Sequence, residues 1–400
     1  MRGEGRVSAG SRRPRYPAGM RTNPVLGELG AYPIAELQSL ARRMREAGEP
    51  LIDFSIGDPT EPTPEFIRRA AADAIPEVSQ YPTVRGLSVL RRAIADYVGR
   101  RFGVEVDPDT QVIPTSGSKE ALFTTPLAFI DRAAGDAGGF ATPGYPIHDR
   151  GLRFAGAAPI GIRLSGDFVL RPEAIDPASW ARMRLLWTCS PHNPTGAVAT
   201  PEDIAALYAA CVENDVLLLS DEPYTDLYGD VIPSSALEAA GPGSPGVLSF
   251  FSCSKRSGMT GYRSGAIVGD AAAISAVADM RSSVGVASPE FIQAAASAAW
   301  NDDDHVAVRR EIFEEKRKAL REPFEAAGIE VVGSDAGIYL WVRVDDDQVA
   351  AKELLAVGVL VSPGRAFGPG GEGFIRFALV PSIDECAAAA EVVVGCLTKT

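Results

Sequence analysis

Lys255 sits in "FSCSKRSGMTGYRSGAIVGD" (251–270), between Ser254 and Arg256, and Arg263 follows eight residues on. A solvated surface lysine needs no such small, hydroxyl-rich setting; a lysine that forms a covalent bond does. An amine becomes a nucleophile when its pKa falls, and the planar arginine fork suits a phosphate. Asp221 closes an apolar run in "VLLLSDE" (216–222), where a carboxylate is costly unless a cation or N–H meets it. Tyr224 is three residues on, and Asn193 stands in the turn-rich "CSPHNPTGAV" (189–198). "TSGSKEAL" (115–122) places a glycine–serine turn before a helix start, where free N–H groups favour an anion. Each feature also has a plainer reading, a ligand-free helix cap at 115–122 or a capping aspartate at 221.

A phosphate cradle, a lysine, a carboxylate and a tyrosine together meet the needs of one cofactor, pyridoxal phosphate. Lys255 would bond its aldehyde, Asp221 would keep its ring nitrogen protonated, and Tyr224 and Asn193 would bond its phenolic oxygen.

Something must hold these residues at one edge. Short apolar runs end just before them: 111–117, 184–190, 216–222, 247–252 and 265–270. Their continuous hydrophobicity predicts strands covered on both faces, as in a parallel sheet. Helical patterns alternate with them. At 89–102, Leu90, Ile94, Tyr97 and Val98 share a face; at 200–215, Thr200, Pro201 and Asp203 form a capping-box start. Ligands in such α/β sheets bind beyond the carboxyl ends of the strands. After residue 300 the pattern changes. A charged helix over about 302–327, two alternating strands within 329–344, a strand at 372–380 and a helix at 382–398 predict a smaller α+β unit, with an N-terminal helix at 31–47 packing on it.

The chain closely resembles the class I/II aminotransferases of pyridoxal-phosphate fold type I, from about residue 32 to 395. "SCSK" (252–255) followed by "GYRSG" (261–265), with "NPTG" (193–196) and "DEPY" (221–224) in order, carries the resemblance. It implies a three-layer αβα large domain with a mostly parallel seven-stranded sheet over 53–299, and a small domain from 22–52 and 300–400. It implies Lys255 as the cofactor-bonding lysine and proton shuttle, with Asp221 on the pyridinium and Asn193 and Tyr224 on the phenolic oxygen. Gly117, Ser118, Lys119, Ser252 and Arg263 become the phosphate cup. Tyr145 matches an aromatic stacked on the cofactor, and Tyr81 a tyrosine that reaches the phosphate of a neighbouring subunit, which implies a homodimer. Arg376, in "FIRFAL" (374–379), matches the clamp on the substrate α-carboxylate, although a strand-edge salt bridge is its plainer reading. Gly57 matches a backbone contact beside the substrate, and Asn193 also faces it.

The resemblance implies a two-half transamination. "SGSKEALF", "FSCSKRSGMTGYRSG" and "AAWNDDDHV" look most like succinyldiaminopimelate aminotransferases of lysine biosynthesis, which use glutamate as amino donor. An aspartate or broad-range aminotransferase, or a carbon–sulfur β-lyase on the same fold, are the alternatives. Lys119 stands where some aspartate-using relatives read a distal carboxylate; Arg85 and Arg281 are further candidates, both expected on solvated faces.

Composition narrows the rest. With 46% hydrophobic and 23% charged residues the chain fits a globular protein, and its net charge of −13 argues against nucleic acid or an anionic membrane as partner. No apolar run approaches the ~18 residues of a membrane span. The five scattered cysteines predict reduced thiols and a cytoplasmic location, and the three histidines (His148, His192, His305) lack metal-ligand spacing and are expected at the surface or behind the site. Residues 1–21, with six arginines and one glutamate, read as a disordered or mis-annotated head. "GPGGEG" (368–373) fits a dinucleotide-binding pattern literally but precedes a strand, so it reads as a loop near the substrate mouth.

Overall fold

The structure, a computed structural model, describes residues 20–29 and 35–398; nearly all of the arginine-rich head lies outside them. Thirteen strands are present among these residues: β1 (Ile52–Asp53), β2 (Val112–Thr115), β3 (Ala137–Thr142), β4 (Ala158–Arg163), β5 (Met183–Cys189), β6 (Leu217–Asp221), β7 (Val247–Ser252), β8 (Gly265–Gly269), β9 (Val331–Val332), β10 (Tyr339–Arg343), β11 (Val359–Leu360), β12 (Ser362–Pro363) and β13 (Phe374–Ala378). Seven of them form one sheet in the order β2-β8-β7-β6-β5-β3-β4. All its pairings are parallel except those of β8, which runs against both β2 and β7.

The unbroken apolar runs are explained by what covers the sheet. Leu218, Val247, Phe251 and Val268 enter one apolar cluster, while Leu219, Leu248, Phe250 and Ile267 enter another. Successive residues of a strand point to opposite faces, so both faces are covered and neither can be polar. Helix Ser88–Phe102 lies on the first face, burying Leu90, Ile94, Tyr97 and Val98. Helix Pro201–Glu213 opens with the expected box: Thr200 accepts the Asp203 N–H while Asp203 accepts the Thr200 N–H. Such a cap is worth about 1 kcal/mol.

The register of β8 decides where the loops begin. Gly265 pairs with Thr115 of β2 on one side and with Ser252 of β7 on the other. The Ser116–Ser118 turn, the Lys255 segment and Arg263 therefore leave the sheet at one row. Asp221 ends β6 opposite Phe250 of β7, at the same edge.

The remaining strands form a four-stranded antiparallel sheet, β12-β13-β10-β9, and a two-stranded pair, β1-β11. A third apolar cluster collects them with helices Ala35–Glu46, Asp304–Ala326 and Ile383–Leu397, through Leu37, Phe313, Leu320, Phe377 and Val393. One expectation fails here. The strands within 329–344 do not alternate: β9 is two residues long, and Tyr339 to Val342 of β10 are all buried. Trp341 packs into one apolar cluster and Leu340 and Val342 into another, so both faces of β10 are covered.

Candidate active site

A cavity of 480 Å³ opens between the edge of the seven-stranded sheet and the four-stranded sheet. The large sheet lends it Asp221, Tyr224, Ser252, Lys255 and Arg263; the small one lends Tyr339, Ser362 and Arg376. Gly57, Ser118, Lys119, Tyr145 and Asn193 also line it. Twelve of the thirteen residues expected from the sequence thus converge, eleven on the cavity wall and Gly117 directly behind. The exception is Tyr81, fully exposed and outside its own chain's cavity.

Lys255 is partly buried at the end of a four-residue turn of helix, with its Nζ donating to the Gly57 carbonyl. Burial lowers its pKa to about 8. The Asp58 carboxylate opposes that shift, and the Arg263, Arg309 and Arg376 guanidiniums add to it. An amine poised so close to neutrality is a nucleophile and a proton carrier at working pH.

Asp221 is 2% exposed. Its Oδ2 lies 3.2 Å from His148 Nε2, while Oδ1 has no partner. A buried carboxylate oxygen left alone costs several kcal/mol, so it points to a ligand N–H. His148 is itself held, stacked on Trp187 at 4.9 Å between centroids and 11° between planes. All three histidines prove to be largely covered rather than surface residues; His192 is 3% exposed, and burial lowers its pKa to about 3. His148 stands directly behind the site and His192 bonds Thr195 within the 189–198 turn.

Asn193 is shared by two partners. Its Nδ2 faces the Tyr224 hydroxyl at 3.5 Å and its Oδ1 accepts from Arg376 at 3.0 Å. Arg376 is buried between the rings of Tyr339 and Phe367, at 4.3 and 4.5 Å, and also donates to the Ser55 carbonyl at 2.8 Å. Its Nε has no partner. The strand-edge salt bridge is absent: no carboxylate reaches Arg376 among the described residues.

The anion end is compact. Gly117 has φ +78°, the left-handed region that glycine tolerates. A Cβ there would stand 2.4 Å from an Arg263 guanidinium nitrogen, so only glycine admits this approach. Ser252 accepts the Ser254 N–H, ordering the turn that carries Lys255. Arg263 is held by the turn before it, its Nη1 donating to the Thr260 carbonyl at 2.9 Å. Two expectations about arginines fall away. Neither Arg85 nor Arg281 lines the cavity, and Arg281, far from solvated, is 1% exposed and bidentate to Glu120 at 2.8 Å. Glu120 also accepts the Ser116 N–H, so this pair, its arginine buried and its glutamate half-covered, braces the anion turn from behind.

Sequence reasoning missed Tyr339, Asp58 and Arg309. Tyr339 reads as an ordinary core residue of an apolar strand, and Arg309, which donates to the Lys255 carbonyl at 3.1 Å, as one charge among many on a long helix. Their proximity to the site arises from packing across the chain and has no local signal.

A lone carboxylate oxygen, an amine of lowered pKa, a glycine-only approach to an arginine and a cavity of this size fit pyridoxal phosphate. The fold and the site thus define a pyridoxal-phosphate enzyme of fold type I. The family model for aminotransferase class I and II matches residues 49–393, and the chain belongs to that family. Among curated relatives, the LL-diaminopimelate aminotransferase of Maridesulfovibrio salexigens is 34% identical over 371 residues, covering 90% of this chain and 95% of the relative. An aminotransferase from Neisseria meningitidis matches with a TM-score of 0.86 and 31% identity, over 93% of this chain and 99% of that one. A probable N-succinyldiaminopimelate aminotransferase from Thermus thermophilus matches with a TM-score of 0.85 and 26% identity, over 90% and 99%. The cofactor of the present chain is therefore pyridoxal phosphate and its reaction class amino-group transfer.

Proposed function

We propose that the chain moves an amino group between glutamate and a 2-oxo acid of the diaminopimelate type. The sequence motifs favour the succinylated form; the curated relative named above carries the LL-diaminopimelate name, which favours the free form. Both share an α-amino acid head and a long chain ending in polar groups, which suits a cavity with Arg376 at one wall and the exposed Lys119 and Asp58 at its mouth.

The convergence of Lys255, the unpartnered Asp221 Oδ1 and the unpartnered Arg376 Nε in one cavity is the observation that carries this reading. The bound cofactor supplies the electron sink for the pair released at the substrate Cα. Lys255 would be the residue that bonds it, and its amine, with a pKa lowered to about 8, would carry the Cα proton. Asp221 would keep the ring nitrogen protonated, while Tyr224 and Asn193 would hold the phenolic oxygen. Gly117, Ser118, Lys119, Ser252 and Arg263 would hold the phosphate, with Tyr145 beside the ring. Arg376, with Gly57 and Asn193 beside it, orients the α-carboxylate so that the Cα–H faces Lys255.

Residues 53–299 would form the cofactor-binding unit, and 22–52 with 300–400 the smaller one; the pairing of Ile52–Asp53 with Val359–Leu360 ties the very start of the larger range to the smaller unit. Tyr81, fully exposed, would complete a neighbour's phosphate cup in a homodimer. The five free thiols support a reducing, cytoplasmic setting, and no helix among the described residues is long and apolar enough to cross a membrane.

Amino donors and oxo acids presented one at a time to the purified holoenzyme test the reading, through loss of the visible cofactor band. Bleaching by glutamate and by LL-diaminopimelate, well above aspartate, is expected. A preference for succinyldiaminopimelate moves the assignment to that substrate, and release of pyruvate and ammonia without an acceptor replaces it with a β-lyase.

A further inference from the structure

Tyr339 has no role in the reading above, yet it touches both ends of the site. It opens β10, is 4% exposed and lies within the cavity wall. Its hydroxyl is 3.0 Å from that of Tyr224, and the two rings meet edge to face at 5.4 Å and 73°. Its ring carries the Arg376 guanidinium at 4.3 Å. Its hydroxyl also fills the space beside Gly57, where a Cβ would come within 2.6 Å of it. Gly57 is the residue whose carbonyl accepts from Lys255.

We propose that Tyr339 is a positioning residue with two separable tasks: its ring holds the carboxylate-binding arginine, and its hydroxyl sets the cofactor-facing hydroxyl of Tyr224. The proposal rests on the site roles assigned above and deepens them.

A phenol has one proton to give. Asn193 Nδ2 already points toward the Tyr224 oxygen at 3.5 Å. If Tyr339 also donates to that oxygen, the Tyr224 proton is left for the cavity. If Tyr224 donates instead, its proton is consumed by Tyr339 and the cavity receives none. The charges decide the direction, because the more acidic phenol donates. Burial raises both pKa values, but the Arg376 cation counters the rise at Tyr339, whereas Tyr339, Asp221 and Cys189 all add to it at Tyr224. Cys189 and Asp221 also act on Tyr339, in the raising direction and more weakly than Arg376. Tyr339 is the donor, and Tyr224 keeps its proton for the cofactor's phenolic oxygen. The Tyr339 ring holds Arg376 by a separate contact, the cation–π face. Hydroxyl and ring therefore serve different ends of the bound ligand and can be separated by substitution.

The experiment compares Tyr339→Phe and Tyr339→Leu as holoenzymes with wild type, with Lys255→Ala alongside. The readouts are the pH midpoint of the bound cofactor's visible absorbance change, and the half-bleaching concentration of the best wild-type amino donor. Tyr339→Phe keeps the ring and loses the donor. It should raise the midpoint by about half a pH unit or more, since a Tyr224 hydroxyl no longer polarised by the Tyr339 donor gives a weaker hydrogen bond to the phenolic oxygen. Its half-bleaching concentration should stay within about twofold. Tyr339→Leu should show the same midpoint shift and a half-bleaching concentration about tenfold higher. An unchanged midpoint in Tyr339→Phe overturns the proposal, as does a Phe variant that loses donor affinity as much as the Leu variant. A Lys255→Ala protein that retains the wild-type pH-dependent band removes instead the site roles on which the proposal rests, and the role of Tyr339 with them.

Discussion

The buried amine of Lys255 leaves a mark on stability as well as on chemistry. Its pKa is about 8 in the folded chain against 10.5 for an ordinary lysine. Between those values the unfolded chain binds more protons than the folded one, so stability rises with pH across that window. Below about pH 8 the penalty is present in full, and the gap corresponds to about 3 kcal/mol. Cofactor-free Lys255→Met should therefore unfold at higher denaturant than the cofactor-free wild type at pH 7. That advantage should shrink as pH approaches 10.5; an advantage constant with pH would falsify the burial argument. Most site residues were legible one by one, because Lys255, Asp221, Asn193 and Arg263 each follow or precede an apolar run and break its chemistry. Tyr339 and Arg309 were not, because a tyrosine in an apolar strand and an arginine on a charged helix break nothing locally.

At the scale of elements, the anion turn shows how backbone shape and side-chain packing share one task. Gly117 combines a left-handed backbone with an approach to Arg263 that leaves no room for a methyl group. Gly117→Ala should cost the cofactor-free protein about 1–3 kcal/mol through strain. It should also weaken cofactor binding at least tenfold, because Arg263 must move away from the phosphate. Equilibrium dialysis of the cofactor beside denaturant melts separates the two effects, and an affinity equal to wild type would remove Gly117 from the cup. Capping boxes and amphipathic faces made the helices readable to within a few residues. What sequence could not supply was the bracing from a distance. Glu61 reaches Lys316 at the other end of the chain, with Arg309 at 4.0 Å from its second oxygen, and Arg281 braces Glu120 across 161 positions. These partners are chosen by the tertiary fold, and each alone reads as a solvated charge.

For the whole molecule, the cavity wall is drawn from two sheets; continuous apolar runs announced the first, and the change of pattern after residue 300 announced the second but not how deeply its strands are buried. The large sheet was recognisable because both faces are covered; the direction of β8 was not, because an antiparallel strand buried on both faces has the same apolar run as a parallel one. That reversal has a mechanical consequence. The row Thr115–Gly265–Ser252 ties β2, β8 and β7 at the point where the anion turn, Arg263 and the Lys255 segment depart. A slip of β8 by one residue would swap its faces and scatter all three loops. A ligand gripped by those loops thus works as a clasp across the rim of the sheet, and the rim strand β2 has β8 as its one strand partner among the described residues. Removing the cofactor should speed amide hydrogen exchange in β2 and β8 well before it does so in β5 and β6, and uniform acceleration across the sheet would show that no such clasp exists.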